Sequence, residues 1–186
     1  MSPRVRRGPL FGFLFVLAAV LVSFLLRVTQ EPEGPALTVV AADGHARTLR
    51  LAALRRMPSL TRAGSYQNQN GNWGGTGVYT GVLLVDLLGS MEDGDEVVVR
   101  GADGYEVALD RARVGDSDYP VVVAYAVDGV MVPSWKDGLR LVVLPEDGGV
   151  SNVEYRAASA GSFWVTCVVR ISLLKKTEAA PASEPL

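Results

Sequence analysis

The sequence predicts a mixed α+β domain, largely antiparallel, with short helices and one transmembrane helix ahead of it. Three observations lead there. Runs rich in valine, leucine and other strand formers dominate, and the helical stretches between them are short. Asp-Gly pairs at 43–44, 103–104 and 128–129 sit between such runs, and this pair suits a tight hairpin because both residues tolerate its positive φ angles. Finally, Gly8–Leu26 carries no charged residue over 19 positions.

That apolar run would span about 28 Å as a helix, the thickness of a bilayer's hydrocarbon core. Arg4, Arg6 and Arg7 precede it, and Arg27, Glu31 and Glu33 follow. Basic flanks stay in the cytoplasm. The expected arrangement is a cytoplasmic tail over 1–7, a single-pass anchor over 8–27 and an extracytoplasmic domain at the cell membrane. A cleaved signal peptide is the competing reading. Its apolar core is usually shorter and ends at a small-x-small site, whereas this run ends Ser-Phe-Leu-Leu-Arg. Residues 28–36 read as a polar, proline-bearing linker to a domain over 37–174. Residues 175–186, KKTEAAPASEPL, have the composition of a disordered tail.

Within the domain, Leu37–Ala41 and Ala46–Leu51 flank Asp43-Gly44 as a first hairpin. Leu51–Met57 is a short helix stopped by Pro58. Thr61–Tyr66 leads as a strand into a polar loop, and Val82–Leu88 is the helix behind it, ending at Gly89. Glu96–Gly101 and Tyr105–Leu109 form a second hairpin, and Tyr119–Tyr125 and Val130–Val132 a third. Leu139–Leu144 is a buried strand closed by Pro145, and Phe163–Leu173 the last long strand. No internal repeat is present.

Composition narrows the function. The 186 residues are 48% hydrophobic, enough for a real core. The first 27 residues hold four arginines and no acid, leaving 14 basic against 20 acidic residues and a net charge of −6 on the remainder. An acidic domain argues against non-specific nucleic-acid binding. One cysteine and one histidine exclude an internal disulfide and any metal site built from several such ligands. His45 lies in a hairpin turn, far along the chain from the polar loop, so no nucleophile–base–acid set can be assembled and no catalytic residue is expected.

The most distinctive stretch is GSYQNQNGNWGGTGVYTGVLLVDLL, Gly64–Leu88. Ser65, Tyr66, Gln67, Asn68, Asn70 and Asn72 offer polar groups to a ligand, and amides do so without charge. Trp73 offers a ring for stacking on a planar or sugar-like ligand; core packing is the alternative. Gly74, Gly75 and Gly77 offer backbone N–H groups to an anion, although without a following Lys-Ser/Thr pair the signal for phosphate is weak. Tyr79 precedes the expected helix, and Lys136, beside Trp135, offers a positive charge for an anionic group. A solvated loop with turn-capping amides competes with a small polar or anionic ligand site. Cys167 stands in an apolar run and reads as a buried structural thiol.

Taken in order, LAALRRMPSL, the polar stretch, TGVLLVDLL, EVVVRGADGYEVAL, YPVVVAYAVDGVMVP, GLRLVVLP and WVTCVVRISL resemble the molybdopterin-binding domain of the sulfite oxidase family over roughly Leu37–Leu173. The resemblance implies a sulfite oxidase-like fold, an oxidoreductase ancestry and molybdopterin as cofactor. In catalytic members a cysteine before the Gly-Val-x-Leu segment ligates molybdenum. Here that position falls near Ser65–Asn68, and Gly64–Gly77 holds no cysteine. Also missing are the histidine- and arginine-bearing segments that hold the pterin phosphate, while Arg140 occupies the family's Arg-Leu-Val position. The resemblance therefore implies a divergent member without the molybdenum ligand. Two further readings stand beside it: a cofactor-free module for a small polar ligand, and an accessory domain for a membrane redox or transport partner.

Overall fold

Strands need alternating or doubly covered apolar positions, and a computed structural model that describes residues 34–175 shows both kinds. The first sheet contains β1 (Leu37–Val40), β2 (Ala46–Leu49), β5 (Glu96–Gly101), β6 (Glu106–Asp110) and β10 (Val168–Leu174), in the order β2-β1-β10-β5-β6. Its strands alternate: Val97 and Val99 are buried while Glu96 and Arg100 face out. The second contains β3 (Leu60–Gln67), β4 (Trp73–Leu83), β7 (Val121–Val127), β8 (Val130–Met131) and β9 (Arg140–Val143). Its order is β3-β4-β7-β8, and β9 also pairs with β7. All pairings are antiparallel except β1 with β10.

β7 is buried on both faces from Val121 to Ala126, as its unbroken apolar run requires. Both sheets contribute to a single hydrophobic core, in which Leu37, Val99 and Ile171 from the first join Val82, Val123 and Leu141 from the second. The helices α1 (Leu51–Leu54), α2 (Leu84–Leu88) and α3 (Arg111–Val114) are one turn each. The α+β expectation agrees with this architecture. Among the described residues no helix is long and apolar enough to cross a membrane. The anchor expected over 8–27, most of the linker, and the tail from 176 lie outside the described residues.

Three sequence expectations are corrected. Gly64–Tyr79 is not a loop but most of a β-hairpin, with only residues 68–72 between β3 and β4. The helix expected over Val82–Leu88 is confined to Leu84–Leu88, because β4 stays paired with β7 as far as Leu83↔Val122. The last strand starts at Val168 rather than Phe163. Ala160–Phe163 is a 3₁₀ turn, and Cys167 takes a left-handed φ of 49° that breaks the extended run. The intervening residues pair with the approach to β9 through Cys167 N–H to Asp137 O (2.8 Å) and Leu141 N–H to Val165 O (2.9 Å).

Gly81 explains why β4 runs on. A Cβ there would lie 2.3 Å from the Val123 carbonyl oxygen and 2.5 Å from Ala124 Cα. Both are backbone atoms of β7, so neither can step aside. Gly81→Ala should therefore separate β4 from β7 and destabilise the domain by about 3 kcal/mol. Urea unfolding would measure this; an unchanged midpoint would contradict the close approach.

Candidate functional site

The β3–β4 hairpin places most of the residues singled out in the sequence, and each can be followed from the backbone outward. Gln67 pairs with Trp73 and Tyr66 with Gly74 across the ladder. The turn between them closes through Asn68 N–H to Asn72 O and Gly71 N–H to Asn68 O, both at 2.9 Å, with one of its own side chains added. Asn68 Oδ1 accepts the backbone N–H groups of Asn70 (2.9 Å) and Asn72 (3.0 Å), the local bonding for which asparagine is favoured in turns. Gly71 supplies the positive φ (78°).

The outer edge of β3 is covered by residues 148–152. Val150 N–H donates to Ser65 O and Gln67 N–H to Val150 O, both at 2.9 Å. Ser65 Oγ donates to Gly148 O (3.1 Å). Gln67 Oε1 accepts the Asn152 N–H (3.1 Å), and Asn152 Nδ2 donates to Asn68 O (2.8 Å). Asn152 Oδ1 in turn accepts the Ala160 N–H (2.8 Å), tying the 3₁₀ turn to the same assembly. Sequence reasoning missed Asn152. It lies in GGVSNV, which carries no periodicity and no motif.

Beneath the hairpin is an aromatic cluster. The ring of Tyr66 packs on Trp164 (centroids 4.9 Å apart), Trp164 meets Tyr79 edge-on (5.3 Å), and Tyr79 approaches Trp135 (6.0 Å). The Tyr66 ring rests on glycines: a Cβ would come within 2.6 Å of it at Gly75 and 2.4 Å at Gly161. Tyr79, buried in β4 rather than standing before a helix, donates its hydroxyl to Gly75 O (2.6 Å). Arg140 Nη1 reaches the same hydroxyl at 3.5 Å, and Arg140 Nη2 pairs with Asp137 Oδ2 at 3.4 Å. Arg140 Nε and Trp164 Nε1 are buried without a hydrogen-bond partner among the described residues.

The structure thus brings together Ser65, Tyr66, Gln67, Asn68, Asn70, Asn72, Trp73 and Tyr79 on one hairpin, but not on one face. Tyr66 and Tyr79 point into the cluster, while Asn70, Asn72 and Trp73 are exposed. Lys136 lies apart in the β8–β9 connection. It is exposed, and among the described residues it makes no hydrogen bond or ion pair, although neighbouring Trp135 is buried against Tyr79. Clefts of about 640, 400 and 400 Å³ open elsewhere, beside Val85 and Arg111, beside Arg62 and Tyr119, and beside Arg113 and Tyr155. None of these three is lined by a residue of the hairpin turn, by Tyr79 or by Lys136.

The fold has a distant likeness among solved structures, consistent with the molybdopterin-domain fold that the sequence motifs imply. One solved structure with this likeness is the sulfane dehydrogenase SoxCD from Paracoccus pantotrophus, with a TM-score of 0.56 and 18% identity. The match covers 78% of this chain but only 39% of that one, and at this identity it speaks for the fold alone. No protein-family profile matches the chain, and no curated protein matches it significantly.

The residues do not fit a molybdenum–pterin group. The hairpin offers no thiolate, and the hydroxyl of Ser65 is engaged with Gly148 O. The space floored by Gly75 and Gly161 is filled by the Tyr66 ring. Cys167 gives no substitute: it lies beside Gly138 in the approach to β10. Among the described residues no group of three or more His, Cys, Asp or Glu is placed to hold a metal ion.

Burial raises the pKa of the Tyr79 hydroxyl above 10.0, opposed by the nearby Arg140 guanidinium. In the unfolded chain the phenol ionises near its ordinary value; in the folded chain it keeps its proton longer. Its contribution to stability is therefore complete below pH 10 and lost as pH rises beyond it. The urea midpoint should fall as pH rises above about 10, and Tyr79→Phe should flatten that fall. At neutral pH the same variant should cost about 1 kcal/mol for the lost hydrogen bond to Gly75. An identical pH profile in both proteins would refute the assignment.

Proposed function

We propose that this chain is a cofactor-free binding or accessory module built on a molybdopterin-domain scaffold and anchored in the cell membrane by residues 8–27, with the domain outside. The observation that carries the cofactor-free reading is the Tyr66 ring, seated on Gly75 and Gly161 against Trp164 where the hairpin would otherwise be hollow. A pterin would have to displace that ring, and no sulfur stands ready to hold its metal. The sequence signal for the anchor is the uncharged run over Gly8–Leu26 with its arginines in front. At full extension the 28–36 linker reaches about 30 Å. The domain would then work close to the bilayer, where a small polar ligand or a membrane redox or transport partner would meet it.

Two measurements test this reading. Full-length protein purified from molybdate-supplied cells should contain molybdenum far below one atom per chain; near-stoichiometric metal would restore the oxidoreductase reading. Alkaline phosphatase fused after Leu186 should be active and β-galactosidase at the same place inactive. The opposite pattern would put the domain in the cytoplasm.

A further inference from the structure

The amides of the hairpin divide into two groups. Gln67 and Asn68 spend their side-chain oxygens on backbone N–H groups. Gln69, Asn70 and Asn72 are exposed, and among the described residues their side chains have no hydrogen-bond partner. Beside them stands Trp73, 54% exposed. Trp135 and Trp164, by contrast, are 9% and 6% exposed.

Trp73 is not loosely displayed. A Cβ on Gly149 would come within 3.1 Å of Trp73 Cζ3 and 3.2 Å of Cη2, so the indole lies against that glycine. More than half of its surface stays exposed. The tip beside it is fixed by the two bonds to Asn68 Oδ1 and by the Asn152 bond to Asn68 O. The backbone of the tip and the indole need little further ordering when a ligand arrives, which favours binding.

The chemistry of this surface is narrow. No charged side chain occurs between Arg62 and Asp86, nor between Asp147 and Glu154. A phosphate, a carboxylate or an ammonium group would find no counter-charge from these segments. A fixed aromatic ring flanked by unspent neutral amides suits a ligand with an apolar C–H face and hydroxyl or acetamido edges. From this we infer that Trp73, with Gln69, Asn70 and Asn72, is a platform for a neutral oligosaccharide. The inference rests on the binding-module reading above and names its ligand class. The pyranose C–H face lies on the exposed surface of Trp73, and the amides take the ring hydroxyls.

The test uses the full chain in detergent with chitotetraose, cellotetraose and maltotetraose, and decaproline as a peptide probe. Acrylamide quenching reports chiefly on Trp73, the other two tryptophans being buried. At least one tetrasaccharide should protect Trp73, roughly halving its quenching constant, with a Kd on the order of 0.1–1 mM. Trp73→Ala should abolish binding measured by calorimetry, and Trp73→Phe should retain part of it. Asn70→Ala with Asn72→Ala should weaken it about ten-fold. All of these positions are exposed, and circular dichroism confirms that the variants fold. Protection by no tetrasaccharide, or binding that survives Trp73→Ala, overturns the glycan assignment. Protection by decaproline alone overturns it too, while leaving the binding-module reading in place. Stoichiometric molybdenum, measured separately, removes that reading itself.

Discussion

Strand β3 ends its sheet, and an edge strand carries amide and carbonyl groups that must be met by something other than the next strand. Residues 148–152 meet them, with the paired bonds between Val150 and Ser65 and Gln67, and with Asn152 bonding Gln67, Asn68 and Ala160. The features of the hairpin follow from this cover. It brings Gly149 under Trp73, it brings the 3₁₀ turn and Gly161 against Tyr66, and it consumes two of the polar side chains. An unmet buried donor or acceptor costs on the order of 1–3 kcal/mol, so the cover cannot be shed to admit a ligand without replacement of those bonds. A ligand of the kind proposed above would accordingly meet the tip rather than the space under the hairpin.

The aromatic cluster works by the same logic from the other side. Gly75 and Gly161 lack a Cβ where the Tyr66 ring now lies; at Gly64 a Cβ would fall 2.5 Å from Leu144 Cδ2 and 3.2 Å from both Trp164 and Tyr79. Glycines and rings are thus complementary, and Tyr79 is held at both ends by its hydroxyl bond to Gly75 and its contact with Trp164. Close-packed interiors tolerate small volume changes poorly. Within GNWGGTG, Gly74 and Gly75 make room for the Tyr66 ring, Gly77 for Val127, and Gly71 supplies the turn's positive φ, so the stretch is accounted for without an anion at its backbone N–H groups.

How far the sequence could be read depended on whether the deciding interaction was local. Hairpins flanked by β-branched runs, such as 96–110, were legible because alternation and turn chemistry are short-range. Asp93-Gly94, Asp137-Gly138 and Asp147-Gly148 also place their glycines at positive φ (91°, 63° and 79°), but no pair of alternating runs flanks them to announce it. The β4–α2 boundary was misread because TGVLLVDLL suits a helix as well as a strand. What decides it is the β7 backbone at Val123–Ala124, more than forty positions away. The same holds for the amides. Composition gathered them, but only Asn152, from another part of the chain, separates those that hold the turn from those left over.

The fold likeness and the chemistry consequently point in different directions, and physical reasons connect the two. A pterin cofactor needs a soft ligand for its metal, room for its ring system and a net positive seat for its phosphate. The hairpin has no cysteine, the Tyr66 ring occupies the space between Gly75 and Gly161, and the guanidinium of Arg140 is balanced by Asp137 at 3.4 Å. Each departure alone would weaken such a site, and together they reinforce one another. On the cofactor-free reading proposed above, an aromatic ring between Gly75 and Gly161 adds buried apolar area at a place where no metal would have to be held. Without an anionic ligand the Arg140 guanidinium beside Tyr79 needs a carboxylate partner, which Asp137 supplies. Meanwhile the surface facing solvent has no such demand on it and keeps a rigid ring and spare amides. A scaffold whose interior has closed can still recognise a ligand, provided recognition uses groups that the closed interior holds in place but does not itself consume.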